Sequence, residues 1–222
     1  MKKIIIFLLT LTAINVAGQN NLIGIKGGIN WTNISLSPPS DIINCRTGLN
    51  SGLTYEYLLN THFSLGADLI YNQRGERSVA YFTDQAGNDT GDKAIEKFNI
   101  DYISVPLKVG YQIGHKFYGF ANIGVIPSMV EHATLYTPLY ESYGRMFISA
   151  TADMTKRVTK FDIAGLLELG GGYKFKNRYW LFTSIGYQYS FTTLYNSNYF
   201  INDNLRNHGI TWSVGIKYAL TK

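Results

Sequence analysis

The stretch that decides the fold is FDIAGLLELGGGYKFKNRYWLFTSIGYQYSF, residues 161–191. Up to the turn its odd positions read Phe161, Ile163, Gly165, Leu167, Leu169, Gly171, Tyr173 and Phe175, while the even positions are mostly small or polar. After a tight turn at Lys176, Asn177 and Arg178 the parity continues, with Leu181, Thr183, Ile185, Tyr187, Tyr189 and Phe191 opposite Ser184, Gly186, Gln188 and Ser190. A period of two sustained over this length is a β-hairpin, because successive side chains of a strand point to opposite faces.

The same unit recurs along the 222 residues. Alternation marks strands over Leu22–Thr32, Thr47–Leu58, Phe63–Arg74, Asp101–Ile113, Phe117–Ile126 and His208–Leu220, giving eight with the hairpin. Pro106 interrupts the fourth, where a bulge or an unpaired position is expected because proline donates nothing to a ladder. Gly75–Phe98 reads as a long polar loop, too irregular in period to join the main sheet. Pro127–Lys160 reads as the longest interruption, with room for a short hairpin or helix of its own.

The connections alternate in kind. Those at 59–62, 114–116 and 176–178 are short, and those after the first, third, fifth and seventh strands are long. All long loops then lie at one end of an antiparallel ring. Together with strands of roughly 9–11 residues, this predicts an all-β, eight-stranded, up-and-down transmembrane β-barrel in the cell outer membrane.

A soluble barrel with an apolar ligand cavity would share the alternation but needs a charged exterior. Only 16% of residues are charged, well below the roughly 25% of soluble domains. The polar face is mostly Gly, Ser, Asn and Thr, which suits the narrow lumen of eight strands. Its few charges are of both signs, Lys26, Lys108 and Lys217 against Glu56, Asp68, Asp162 and Glu168, and they are expected to form a structural charge network inside the barrel. Aromatics fall at both ends of the apolar face: Trp31, Tyr71, Tyr189, Phe191 and Trp212 toward the long loops, and Phe63, Tyr111, Phe117, Tyr173, Phe175 and Tyr179 among those toward the short turns. Two girdles around an aliphatic middle are the membrane arrangement.

The N-terminus places Met1, Lys2 and Lys3 before the apolar run Ile4–Ile14 and the small residues of NVAG. This order predicts a cleaved signal peptide over residues 1–18, with the outer-membrane barrel domain over 19–222. Cys45 is the sole cysteine, so no intramolecular disulfide forms. The net charge of +5 is scattered, which argues against nucleic acid as a partner.

GIKGGINWTNIS at 24–35, SLGADLIYNQRG at 64–75, DYISVPLKVGYQIG at 101–114 and LELGGGYKF at 167–175 resemble the PorT-like outer-membrane β-barrel proteins of Bacteroidota. The resemblance covers about Leu22 to Leu220. It implies an eight-stranded outer-membrane barrel and, through the family's founding member, an accessory part in protein secretion.

No nucleophile, base and orienting group occur at motif spacing, so a non-enzymatic protein is expected. Its long loops or periplasmic turns would meet protein partners, and its surface would meet outer-membrane lipid and lipopolysaccharide. The alternative is a barrel enzyme acting on lipid or peptide at the extracellular rim, using His132 or His208 with a nearby serine. A narrow pore is a third reading, opposed by the charge network. Neither a metal site nor a cofactor is expected: Asp84, Asn88, Asp89 and Asp92 lack calcium-loop spacing, and Gly170–Gly172 reads as room for a bend or for neighbouring rings.

Overall fold

The computed structural model describes residues 21–35, 43–83, 86, 88–138, 140–142, 145–176, 178–195 and 205–220; the expected leader, 1–18, lies outside them. The strands are β1 (Asn21–Ser35), β2 (Ile43–Leu58), β3 (Phe63–Thr83), β4 (Asp89–Ser104), β5 (Leu107–Gly114), β6 (Phe117–Thr137), β7 (Tyr140–Ser142), β8 (Arg145–Phe147), β9 (Ala150–Asp153), β10 (Phe161–Phe175), β11 (Tyr179–Ser190) and β12 (Arg206–Leu220).

Each long strand pairs antiparallel with its neighbours, and the ring closes where β6 meets β10 and β12 meets β1. Strands β4 and β5 form the upper and lower parts of one wall strand, since both lie between β3 and β6. Eight walls therefore surround one lumen. The break between them falls at Val105–Pro106, where Val105 N–H donates to Pro127 O at 2.8 Å and Pro106 O accepts from Asp68 N–H at 3.0 Å. Because a strand residue's N and C=O point the same way, the Pro127 nitrogen also faces this break. Two prolines thus share one gap in the ladder, which limits the cost of their missing donors.

The apolar parity faces outward and the small, polar parity inward. Leu169 is 67% exposed on the outer wall of β10, while Glu168 beside it is 6% exposed. The short-turn girdle is built from neighbouring rings, Phe63 with Tyr111 at 5.2 Å, Phe117 with Tyr173 at 4.9 Å and Tyr179 with Tyr218 at 5.3 Å between centroids, and at the long-loop end Tyr189 lies 6.4 Å from Phe191.

Three sequence expectations need correction. The segment from Gly75 to Phe98 is no irregular loop: β3 and β4 continue through it as paired strands, in register from Arg77↔Lys97 to Tyr81↔Lys93. Alternation fades there because a ladder outside the membrane faces water as well as protein, so period two is no longer enforced by a lipid-facing side. Second, β6 does not end near Ile126 but reaches Thr137. A bulge inserts Glu131 opposite the Asp101–Tyr102 step, so the inward positions shift from Ile126, Ser128 and Val130 to Ala133. One extra residue reverses the parity that marks a strand.

Third, the inner face is not small and polar throughout. At the short-turn end Leu22, Tyr118, Trp180, Phe182 and Ala219 form an apolar plug with Leu58 and Phe120 against it. The glycines of LELGGGYKF make room for it: a side chain at Gly170 or Gly172 would come within 2.7 Å of the Phe120 or Tyr118 ring. The long interruption 127–160 does contain a short hairpin, β7–β8, together with β9, which pairs with β6.

Candidate functional site

Charged side chains occupy the lumen above the aromatic plug in tiers. Lys217 pairs with Glu56, and its Nζ lies 4.7 Å from the Phe182 ring centre, so the lowest ion pair rests on the plug. The next tier centres on Asp68, whose Oδ2 lies 2.6 Å from Lys26 Nζ and 2.8 Å from Lys108 Nζ. Lys108 continues to Glu168 at 3.5 Å. Glu168 also accepts from Asn122 Nδ2 at 2.7 Å and Ser184 Oγ at 2.8 Å. Above them Asn30 joins Asn50, Asn72 and Thr211 across the lumen.

The highest tier is Arg74 with Asp162, at 2.8 Å between Nη1 and Oδ2. Ser190 Oγ donates to the same carboxylate at 2.9 Å, Thr192 donates to its other oxygen, and the guanidinium carbon stands 4.8 Å over the Tyr102 ring. The ion pairs of the described lumen thus join four cations, Lys26, Arg74, Lys108 and Lys217, to four carboxylates, Glu56, Asp68, Asp162 and Glu168. Charge balance matters here because an unpaired ion in this confined interior would be far costlier than one in water. A cavity of about 40 Å³, bordered by Lys26, Asn50, Glu168 and Gln188 among others, lies between the tiers.

The structure therefore places all seven sequence-selected residues, Lys26, Glu56, Asp68, Lys108, Asp162, Glu168 and Lys217, on the inner face and brings each into an ion pair. The eighth partner, Arg74, was missed. Its signal was present, since it continues the even parity of Ser64, Gly66, Asp68 and Asn72.

At the long-loop end a second apolar cluster covers the lumen: Ile34, Phe98, Ile100, Tyr102, Val130, Ala133, Met154, Val158 and Leu194. Above it β3, β4, β6 and β9 stand clear of the barrel as an extracellular sheet. Its outer face carries Arg77, Val79, Tyr81, Lys93, Ile95, Lys97 and Tyr136, with Lys93 Nζ 5.0 Å from the Tyr81 ring centre. On the inner side Glu76 is partly buried beside Phe98, and burial pushes its carboxyl up to about 7. Burial, reinforced by Glu76, pushes Tyr195 up to about 12.

Residues 17–196 match the family model described as outer membrane protein beta-barrel domain. The chain belongs to that family. It is an outer-membrane β-barrel protein, located in the cell outer membrane. No curated protein matches it significantly. Among solved structures, this outer-membrane barrel is similar to the Neisserial surface protein A, at 12% identity over 89% of this chain and 96% of that one, with a TM-score of 0.44. It is also similar to OprG of Pseudomonas aeruginosa, at 12% identity over 94% and 100%, with a TM-score of 0.45. Ail, the attachment invasion locus protein of Yersinia pestis, matches at 14% identity over 90% and 98%, with a TM-score of 0.42.

The histidines of this outer-membrane barrel are dispersed. His62 stacks on Tyr111 in a periplasmic turn, and His132 is exposed on β6. His208 Nδ1 lies 3.1 Å from Ser35 Oγ at the outer rim, a serine–histidine contact between β1 and β12. Among the described residues no three His, Cys, Asp or Glu side chains converge as metal ligands; Asp84 lies outside those residues.

Proposed function

We propose that this protein is a non-enzymatic outer-membrane scaffold that presents its extracellular sheet to a partner at the cell surface. The observation that carries this reading is the continuity of β3 and β6, 21 residues each, from the periplasmic turns through the wall into that sheet. A recognition surface on uninterrupted strands, braced from beneath by an apolar cluster, is held far more rigidly than one on free loops. Tiers of side chains fill the lumen, which supports a scaffold in preference to a pore.

The finer PorT-like reading rests on phrases that meet in space. YNQRG at 71–75 and DYISVPL at 101–107 pair at Tyr71↔Ile103 and Gln73↔Asp101, and the Arg74–Tyr102 contact joins their inner faces. An accessory part in protein secretion would use the same extracellular sheet or the periplasmic turns. Outer-leaflet lipid and lipopolysaccharide are the nearest partners for its basic and aromatic outer face.

A photo-crosslinking amino acid at Ile95 or Tyr81, activated in intact cells, tests this reading. A discrete product, assignable as protein or glycolipid and weakened by Arg77→Glu with Lys97→Glu on the same face, is the expected result. A folded, heat-modifiable barrel that yields no product from either position would overturn it. The Ser35–His208 contact favours the enzyme reading, but no carboxylate orients His208 among the described residues. Loss of an esterase or lipase activity on Ser35→Ala would establish that alternative.

A further inference from the structure

The periplasmic rim is chemically unlike the extracellular one. Its turns and strand ends, 58–63, 113–117, 174–179, 218–220 and 21–22, contain no aspartate or glutamate, whereas they carry Lys116, Lys174, Lys176 and Arg178. These four sit on two adjacent hairpins. Strands β6 and β10 pair at Phe117↔Tyr173, and Lys174 N–H donates to Lys116 O at 2.8 Å, locking one turn to the next.

Lys174 turns inward, its Nζ 3.8 Å from the Trp180 ring centre, and belongs to the aromatic plug. The remaining three are exposed and stand at the periplasmic girdle. Lys116 Nζ lies 5.6 Å from the Tyr173 ring centre, Lys176 Nζ lies 5.3 Å from that of Phe175, and Arg178 Nη1 donates to Tyr218 OH at 3.4 Å. Phe117 and Phe175 beside them are 75% and 47% exposed on the lipid-facing wall. All five ion pairs among the described residues lie in the lumen, so no described carboxylate neutralises this trio.

We propose that Lys116, Lys176 and Arg178 form a binding site for anionic phospholipid headgroups of the inner leaflet. Interfacial aromatic rings settle at headgroup depth, so cations poised over them meet phosphate oxygens with little rearrangement. The acyl chains would lie along the exposed face of Phe117, Leu169 and Phe175, which continues the lipid-facing band. Attachment to that band, around the perimeter and not across the lumen opening, favours a lipid over an acidic protein segment. The inference concerns the opposite end of the molecule from the proposed scaffold surface and stands independently of it.

The test titrates the purified full chain in detergent with phosphatidylglycerol or phosphatidylcholine and counts retained lipids by native mass spectrometry. The unaltered protein is expected to prefer phosphatidylglycerol, and the triple variant Lys116→Gln, Lys176→Gln, Arg178→Gln to lose at least about tenfold of that preference, given several-fold per basic residue near an anionic surface. The charge-preserving variant Lys116→Arg, Lys176→Arg, Arg178→Lys should retain it. So should an extracellular triple away from the proposed recognition face, Lys156→Gln, Arg157→Gln, Lys160→Gln, all exposed. Heat-modifiable migration verifies that each variant is folded. No preference in the unaltered protein, or equal loss in the extracellular triple, would overturn the proposal.

Discussion

The two ends of the lumen are closed by different means. The periplasmic plug takes Leu22, Tyr118, Trp180, Phe182 and Ala219 from wall strands alone, the aromatic three within a few residues of short turns and the other two at the ends of β1 and β12. The extracellular cover takes Ile34, Phe98, Ile100, Tyr102, Val130 and Ala133 from strands but needs Met154, Val158 and Leu194 from outside the wall. The lower plug therefore forms whenever the barrel forms, while the upper cover also requires returning segments to dock. Segments of that kind open locally at less cost than the whole fold.

The strongest way to break the contrast is to remove the charge tier between the two ends. Asp68→Ala leaves the Lys26 and Lys108 ammonium groups facing each other without their shared carboxylate, and is expected to cost about 4 kcal/mol. Urea unfolding in lipid vesicles should show both ends losing stability together. Trp180→Ala, cutting only the lower plug, should cost about 3 kcal/mol and also lower the melting of the whole barrel. A loss confined to one hairpin would show that the plug is separable after all.

A smaller effect sharpens the upper half of the comparison. Val158→Ala should cost about 1.5 kcal/mol of local stability, read as roughly tenfold faster proteolysis within 148–160 while heat-modifiable migration of the barrel is unchanged. The smallest expected effect depends on pH. Burial raises the Glu76 carboxyl from 4.5 to about 7, so the folded extracellular sheet favours its neutral form. The sheet is therefore most stable below about 4.5 and weakens as pH climbs toward 7, after which the penalty is constant. Protection factors of β3 and β4 amides above Arg74, which correct for the base-catalysed intrinsic rate, should be lower at pH 8 than at pH 5, and Glu76→Gln should remove the difference.

How much could be read beforehand differs between the same two regions. In the wall, a lipid-facing side imposes alternation, and residues such as Leu167, Leu169 and Ile185 announce their face by position alone. In the hairpin beyond Arg74 neither side faces lipid, so the pattern that marks a strand disappears although the ladder continues. Beyond Pro127 the bulge at Glu131 exchanges the two faces of β6, so that odd-numbered Ala133 is buried and Leu135 packs on the apolar cover. The aromatic plug was hidden for another reason: Tyr118, Phe120, Trp180 and Phe182 hold inward parity, where the narrow lumen of eight strands leads one to expect small and polar side chains.

The sequence by itself determined the eight-walled alternation, the end at which the long loops lie and the side of the wall each charged residue occupies. Those are properties of neighbouring positions, set by the two-residue period and the turn lengths. Only the tertiary structure decided which charges meet. Arg74 finds Asp162 and Lys217 finds Glu56 across 88 and 161 positions of chain. Such partnerships depend on the stagger at which the ring closes, and that stagger is fixed by hydrogen-bond register accumulated around all the walls, which no single strand encodes.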